Sequence, residues 1–101
     1  MNQQAMLRKA RQLQQEMLKA QQEIEETEFK TSAGGIVTVV YKGNKELVKV
    51  IIAENFEVES KEDLEMLSAS IVAASNQAYQ AIEKMTEEKL GKYQSMFGGM
   101  L

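Results

Sequence analysis

The segment SAGGIVTVVYKGNKELVKVII, residues 32–52, constrains the fold most, because it predicts a β-hairpin with apolar side chains on both faces. The runs IVTVVY and ELVKVII are rich in β-branched residues, as strands are. Gly34-Gly35 interrupts the chain before the first run, and KGNK separates the two runs. Gly43-Asn44 suits a two-residue turn of type II′, with Gly in the first position.

This turn predicts which residues share a face. It would pair Val39 with Val48 and Val37 with Val50. One face then carries Val37, Val39, Val48, Val50 and Ile52. The other face carries Ile36, Val40, Leu47 and Ile51, interrupted by Thr38 and Lys49.

A chain of 101 residues has few helices with which to cover two apolar faces of a sheet. We expect its helices to cover the face with Val37 and Val39. The other face would leave a patch of a few hundred Å² exposed to water. We expect a second copy to cover it, by stacking or by extending the sheet, so that Ile36, Val40, Leu47 and Ile51 form the dimer interface. The alternative is that the two helices divide between the faces.

A long helix is predicted on each side of the hairpin, and no proline interrupts either. Residues 2–27 carry a stripe with helical spacing: Met6, Ala10, Leu13, Met17, Ala20 and Ile24. Such a stripe suits another helix, either in the chain's own core or in a partner. Ser60 and Asp63 form a start signal for the second helix, which we expect to end near residue 90 with Gly91 as its cap. Its stripe is Leu64, Leu67, Ile71, Ala74, Ala78, Ile82 and Met85.

The order is therefore helix, two or three strands, helix, in a single α+β domain over residues 1–101. EFKTSA, residues 28–33, is the weak first strand. Residues 92–101 are predicted to be a flexible tail. At about 1.5 Å per residue, the two helices would be roughly 38 and 45 Å long. A compact domain of this size has a radius of gyration of only about 13 Å, so the helices are too long to lie wholly within it. We therefore expect the first helix's N-terminus and the second's C-terminus to project beyond the sheet.

The sign of the charge differs between the projecting helix ends and the middle of the chain. Residues 1–22 and 84–101 hold seven basic and three acidic side chains, a formal charge of +4, whereas residues 23–83 hold five basic and twelve acidic ones, a charge of −7.

One face of the first helix carries Gln4, Arg8, Arg11, Gln15, Lys19 and Gln22. Arg and Lys suit phosphate contacts, and Gln can bond phosphate or base edges. An ordinary solvated helix face is the alternative. The candidate DNA-binding residues are Arg8, Lys9, Arg11, Gln15, Lys19, Lys84, Lys89 and Lys92.

Composition excludes several function classes. The chain has no Cys and no His, so thiol nucleophiles, imidazole bases and thiolate or imidazole metal sites are absent. Neither glycine pair fits a phosphate-binding motif. We expect no enzymatic activity, no cofactor, no metal and no small-molecule substrate. No signal peptide or membrane span is predicted, and cytoplasm is the default location.

The whole chain resembles the YbaB/EbfC family of bacterial nucleoid-associated proteins. The resemblance rests on MLRKARQLQQEMLKAQQEIEE, then AGGIVTVVYKGNKELVKVII, then LEMLSASIVAASNQAYQAIEKMTEEKLGKY, in that order. It implies an α-β-β-β-α protomer with a three-stranded antiparallel sheet, and a homodimer whose helices project like tweezers. It also implies duplex DNA binding in the nucleoid, often with little sequence preference, a role in nucleoid organisation or gene regulation, and no catalysis. The family lacks a sharp contact motif, so the candidate residues rest on charge and geometry.

The competing hypothesis is a non-catalytic protein-interaction dimer, an accessory factor for replication or recombination proteins. The acidic middle of the chain and its pI near 5.0 favour it.

Overall fold

The computed structural model describes residues 2–97, and its elements follow the order helix, three strands, helix. They are α1 (Gln3–Glu26), β1 (Glu28–Ala33), β2 (Val37–Lys42), β3 (Leu47–Ile52) and α2 (Lys61–Phe97). The strands form one antiparallel sheet in the order β1-β2-β3. This confirms the predicted α-β-β-β-α fold class, including the weak first strand.

Capping residues set where the helices begin. The side-chain oxygen of Asn2 accepts a hydrogen bond from the Ala5 amide at 2.7 Å, so α1 starts where the sequence predicts. At the start of α2, the Asp63 amide donates to Ser60 Oγ at 3.3 Å, and the Ser60 amide donates to Asp63 Oδ2 at 3.1 Å. This reciprocal pair is the capping box that the sequence predicts, with Asp in place of Glu.

The C-terminal end of α2 differs from the prediction. The helix does not end near residue 90 but continues through Gly91 to Phe97, so residues 92–97 of the predicted tail are helical. A helical glycine costs only about 1 kcal/mol relative to alanine, which tertiary packing can offset. The Tyr93 side chain, 5% exposed, supplies such packing one residue beyond Lys92. Residues 98–101, the rest of that tail, lie outside the described residues.

The core lies between α2 and the first two strands. α2 crosses β1 and β2, and Ala74 and Ala78 let the helix approach the sheet closely. The core comprises Phe29, Val37, Val39, Tyr41, Ala74, Ala78 and Ile82. Two hydrogen bonds fix the helix on the strands: Thr31 Oγ1 donates to the Ala74 carbonyl at 2.6 Å, and the Tyr41 hydroxyl donates to Ser75 Oγ at 3.0 Å.

The register of the hairpin is wrong in the prediction by two residues. Val39 pairs with Val50, not Val48, and Val37 pairs with Ile52. The loop holds three residues instead of two, because the Lys42 amide donates to the Glu46 carbonyl at 2.9 Å. A bulge next to Val40 adds the second residue.

This register redistributes the predicted dimer residues. We call the side of the sheet under α2 the helix-side face and the other side the open face. Leu47 pairs with the core residue Tyr41 and therefore lies on the helix-side face, away from Val40 and Ile51. Ile36 packs against the core, and Val40 is buried although it lies on the open face. The prediction that these four residues share one face is therefore wrong.

Gly43 is needed for a different reason than the predicted turn. Its φ is not positive; the left-handed residue of this turn is Lys45, with φ 71°. A Cβ on Gly43 would lie 1.8 Å from the Ile24 carbonyl oxygen, and the Gly43 amide donates to the Thr27 carbonyl at 3.0 Å. The glycine therefore lets the end of α1 touch the β2–β3 turn.

The molecule is a rod of 72 × 21 × 15 Å with a Cα radius of gyration of 19.9 Å. This exceeds the roughly 13 Å of a compact domain of this length. The excess is consistent with the predicted projecting helix ends, α1 and the C-terminal part of α2 from Ile82 onward. We call this pair of helical segments the arm.

Two glycine substitutions should change stability in opposite directions. Gly43→Ala should lower the free energy of unfolding by about 2 kcal/mol or more, because its Cβ would collide with backbone. Gly91→Ala should raise it by about 0.5–1 kcal/mol, because a Cβ there meets nothing within 4 Å and alanine favours the helix. Urea unfolding measures both. A neutral Gly43→Ala would contradict the close contact at the base of the arm.

Candidate nucleic-acid interface

The arm is built by antiparallel contact between its two helices. Ile24 near the end of α1 lines the same surface depression as Thr86 and Leu90 of α2. Glu23 Oε2 and Lys89 Nζ lie 3.7 Å apart across the same contact. From this point α2 runs outward to Phe97, while the chain of α1 comes inward from its N-terminus. Their apolar stripes therefore face each other, so α1 packs within its own chain.

The outer end of α1 extends beyond that contact. In residues 3–12, every residue except Ala5 is exposed. Met6 is 57% and Leu7 is 58% exposed, although Met6 belongs to the predicted apolar stripe. The stripe becomes partly buried from Leu13 onward, where α2 accompanies it. Within residues 2–97, the arm therefore ends in a single exposed helix.

All eight candidate DNA-binding residues lie on the arm, and all are exposed. Arg8, Lys9 and Arg11 belong to the single-helix end. Gln15 and Lys19 follow on α1, and Lys84, Lys89 and Lys92 lie on α2. The arm thus gathers basic residues that are up to 84 positions apart in the sequence.

Two of the lysines have partners within the chain. Lys89 forms the pair with Glu23, and Lys92 Nζ lies 4.9 Å from the centroid of the Tyr93 ring. Both partners of the Lys89 pair are substantially exposed, so the pair adds little to stability. An anion can compete for Lys89 at small cost. Leu90 and Tyr93, not these lysines, continue the packed side of α2.

The charge of the sheet differs from the prediction. The prediction gave residues 23–83 a net charge of −7 and placed this negative charge near the sheet, but residues 29–53 hold four lysines and one glutamate. The lysines are Lys30, Lys42, Lys45 and Lys49. The acids flank the sheet instead, at residues 23–28 and 54–65. A shorter window along the sequence would have found this basic segment.

A metal site and a membrane-spanning helix are both absent from the described part of the chain. Within residues 2–97, no group of Asp and Glu side chains is arranged to hold a metal ion. No helix in that range combines the length and apolar character needed to cross a bilayer. Every buried side-chain nitrogen or oxygen described there has a hydrogen-bond partner.

The fold and the arm together define a small α+β protein that presents basic side chains on a projecting helical pair. The model of the YbaB/EbfC DNA-binding family matches residues 1–97. The chain therefore belongs to the YbaB/EbfC family, which confirms the resemblance found in the sequence.

Bacterial relatives support this assignment. The chain is 42% identical over 94 residues to a nucleoid-associated protein of Lactococcus lactis subsp. cremoris (strain MG1363), covering 92% of this chain and 93% of the relative. It is 39% identical over 93 residues to a nucleoid-associated protein of Enterococcus faecalis (strain ATCC 700802 / V583), covering 91% and 88%. The fold also matches a crystal structure of the uncharacterized protein HP0035 from Helicobacter pylori, with a TM-score of 0.64, 20% identity and coverage of 100% and 99%.

The burial of Tyr93 yields a test of the arm. Tyr93→Ala should lower the free energy of unfolding by about 2–4 kcal/mol, because a large buried side chain is lost from the helix pair. Lys92→Ala, at the neighbouring exposed position, should change it by less than about 1 kcal/mol. Urea unfolding followed by circular dichroism measures both. Equal effects at the two positions would show that residues 92–97 do not pack on α1.

Proposed function

We propose that the chain works as a homodimer that binds duplex DNA, mainly through backbone contacts from its arms, with a role in nucleoid organisation or gene regulation. The observation that supports this most is the position of the candidate residues. All eight lie exposed on one projecting helical pair, and residues 3–15 at its outer end hold Arg8, Lys9 and Arg11 without an acidic side chain. Membership of a DNA-binding family agrees with this proposal.

Flexible basic side chains on a helix suit phosphates better than a defined base sequence. Arg and Lys neutralise phosphates, and each neutralised phosphate releases counterions from the duplex. With about four to six phosphates neutralised, log affinity against log salt should have a slope of roughly −4 to −5. Binding of this kind tolerates many sequences, which fits a protein of the nucleoid.

Charge reversal at the arm should weaken DNA binding. Arg8→Glu should lower the affinity for unrelated duplexes to a similar degree, and adding Arg11→Glu should lower it further and flatten the salt dependence. Lys61→Glu is the matched control, because Lys61 is exposed at the opposite end of α2. Titration of labelled duplexes at two salt concentrations measures these effects. Absent binding at low salt, or binding insensitive to salt, would reject DNA as the partner.

The packing of α2 leaves the third strand uncovered. A helix is about 10 Å wide and strands lie about 4.8 Å apart, so one helix covers two strands. α2 covers β1 and β2, and the apolar residues of β3 remain 39–47% exposed. β3 is also an edge strand, whose unpaired backbone groups favour pairing with another chain.

The side of α2 that faces β3 adds apolar surface to this strand. Tyr79 contacts Tyr41 edge to face, with ring centroids 5.1 Å apart, and Lys45 at the β3 end of the turn lies near its ring. Val72, seven residues before Tyr79, lies on the same side of the helix and is exposed. We call the surface formed by Leu47, Val50, Ile52 and Val72 the apolar step.

A second copy is the occupant that we propose for the apolar step. This proposal places the dimer interface on the helix-side face of β3 and not on the open face, where the sequence predicted it. An interface on the open face would bury Lys30, Lys42 and Lys49, which is costly. Of the predicted interface residues, Leu47 belongs to the step and Ile51 lies on the same edge strand. Ile36 and Val40 are largely covered within the protomer.

Neighbouring residues of β3 allow a matched test of the dimer. Val50→Glu should convert the dimer to a monomer, because it places a charge in the apolar step. Lys49→Glu, on the opposite face of the same strand, should leave the mass in solution unchanged. Sedimentation equilibrium measures the mass, and circular dichroism verifies that both variants fold. A Val50→Glu dimer as tight as the wild type would contradict this interface.

The acidic segment 54–65 favours the competing function. It holds six acidic residues and one lysine, and it lies at the end of the sheet away from the arm. Such a surface repels DNA and suits a basic protein partner. Retention of a replication or recombination protein after nuclease treatment, together with no duplex binding by the purified chain, would favour the protein-interaction dimer.

A further inference from the structure

Lys45 occupies a backbone conformation that lysine rarely adopts. Its φ is 71°, and it is the only non-glycine residue with positive φ in residues 2–97. A Cβ in this region crowds the following carbonyl, so glycine or asparagine is the usual choice for such a turn position. The chain thus carries a long basic side chain where a small residue would fit without strain.

The surrounding hydrogen bonds hold Lys45 in this conformation. Its amide donates to the Lys42 carbonyl at 2.8 Å, and the Glu46 amide donates to Asn44 Oδ1 at 2.9 Å. The Gly43 amide is tied to Thr27 at the end of α1. Backbone strain that the surroundings impose in this way is common at functional sites.

The Lys45 ammonium group has a defined position above an aromatic ring. Lys45 Nζ lies 5.6 Å from the centroid of the Tyr79 ring. The ring is held by its edge-to-face contact with Tyr41, whose hydroxyl donates to Ser75 Oγ at 3.0 Å. Desolvation and the neighbouring Tyr41 raise the pKa of Tyr79, and a tyrosine ring is neutral at physiological pH even without this shift. A lysine over a neutral ring keeps its charge and its three donors available.

No carboxylate of the described residues forms an ion pair with Lys45. The side chain is exposed, and the turn lies at the base of the arm, where Gly43 touches the end of α1. The ammonium group is therefore accessible to an anion at the base of the arm, beyond Glu23, Glu25 and Glu26 of α1.

We propose that Lys45 is a further phosphate contact for duplex DNA, held by the strained turn and the Tyr79 ring at the base of the arm. This rests on the proposed function, since the arm must first hold the duplex. A phosphodiester oxygen would accept hydrogen bonds from the ammonium group, while the ring limits the motion of its aliphatic chain. On this proposal, the chain tolerates the strained backbone of Lys45 because the turn then carries a positive charge at this position.

Substitution by glycine separates the two roles of this residue. Lys45→Gly should raise the urea midpoint of unfolding, because it relieves the left-handed strain. The same variant should weaken binding to unrelated duplexes about threefold to tenfold at 0.1 M salt. It should also reduce the salt slope by about 1 for each lysine lost, or about 2 in a dimer. Lys45→Arg keeps the charge and should bind like the wild type. Lys61→Ala, an exposed lysine remote from the turn, is the control and should also bind like the wild type.

The outcomes are distinguishable from failure of the proposed function. If the wild type binds DNA and Lys45→Gly keeps both its affinity and its salt slope, the Lys45 contact is rejected while the function of the arm stands. Weaker binding that accompanies a lower urea midpoint also rejects it, because the loss would then follow from damage to the fold. If the wild type binds no duplex, the proposed function fails and this contact fails with it.

Discussion

The contact between the end of α1 and the β2–β3 turn is what the direction of the arm depends on. The Gly43 amide donates to the Thr27 carbonyl at 3.0 Å, and the Ile24 carbonyl fills the space that any side chain at position 43 would need. α1 therefore leaves the sheet from a fixed point instead of through a flexible linker. Because Ile24 is buried against the same region, the outward course of the helix is set within its last turn. The C-terminal part of α2 packs alongside α1 in the arm. The position of the basic residues therefore depends on this one contact.

A second constraint is the width of a helix relative to a sheet. α2 packs closely on β1 and β2 through Ala74 and Ala78, and it cannot also cover β3. Residues 2–97 contain no further helix for this purpose, because α1 is engaged in the arm. The exposure of the apolar residues of β3 therefore follows directly from the positions of the two helices, since one packs on the sheet and the other forms the arm. A second copy would cover them and would also place two arms on one particle, which raises avidity for a long polymer such as DNA.

The secondary structure could be predicted from the sequence, because each helix has a regular apolar stripe and because Ser60 and Asp63 mark the start of the second helix. The hairpin register could not, because it depends on tertiary contacts. Gly43 satisfies the sequence signal for a type II′ turn, but its missing Cβ is used to approach Ile24, and the left-handed position passes to Lys45. The C-terminal end of α2 was missed for a similar reason. Gly91 is a stop signal in isolation, and only the burial of Tyr93 shows why the helix continues. The candidate residues of the arm were found because charge accumulates at both ends of the chain, whereas Lys45 was hidden by averaging over an acidic segment.

The distribution of charge bears on how a protein with a net charge of −3 could approach DNA. A duplex would be repelled by the acidic segment 54–65 at one end of the rod and attracted by the outer end of α1 at the other, which carries Arg8, Lys9 and Arg11 and no acidic residue before Glu16. The two ends lie farther apart than the Debye length of about 8 Å at physiological salt. The net charge is therefore a poor guide, because DNA in contact with the arm is screened from the acidic end. The same separation would orient the molecule during approach, since an encounter with the acidic end first is repulsive. Uniform basic charge would attract DNA to every surface and would also bring the apolar step against it. In the proposed complex, the acidic end would keep DNA away from the end of the sheet opposite the arm.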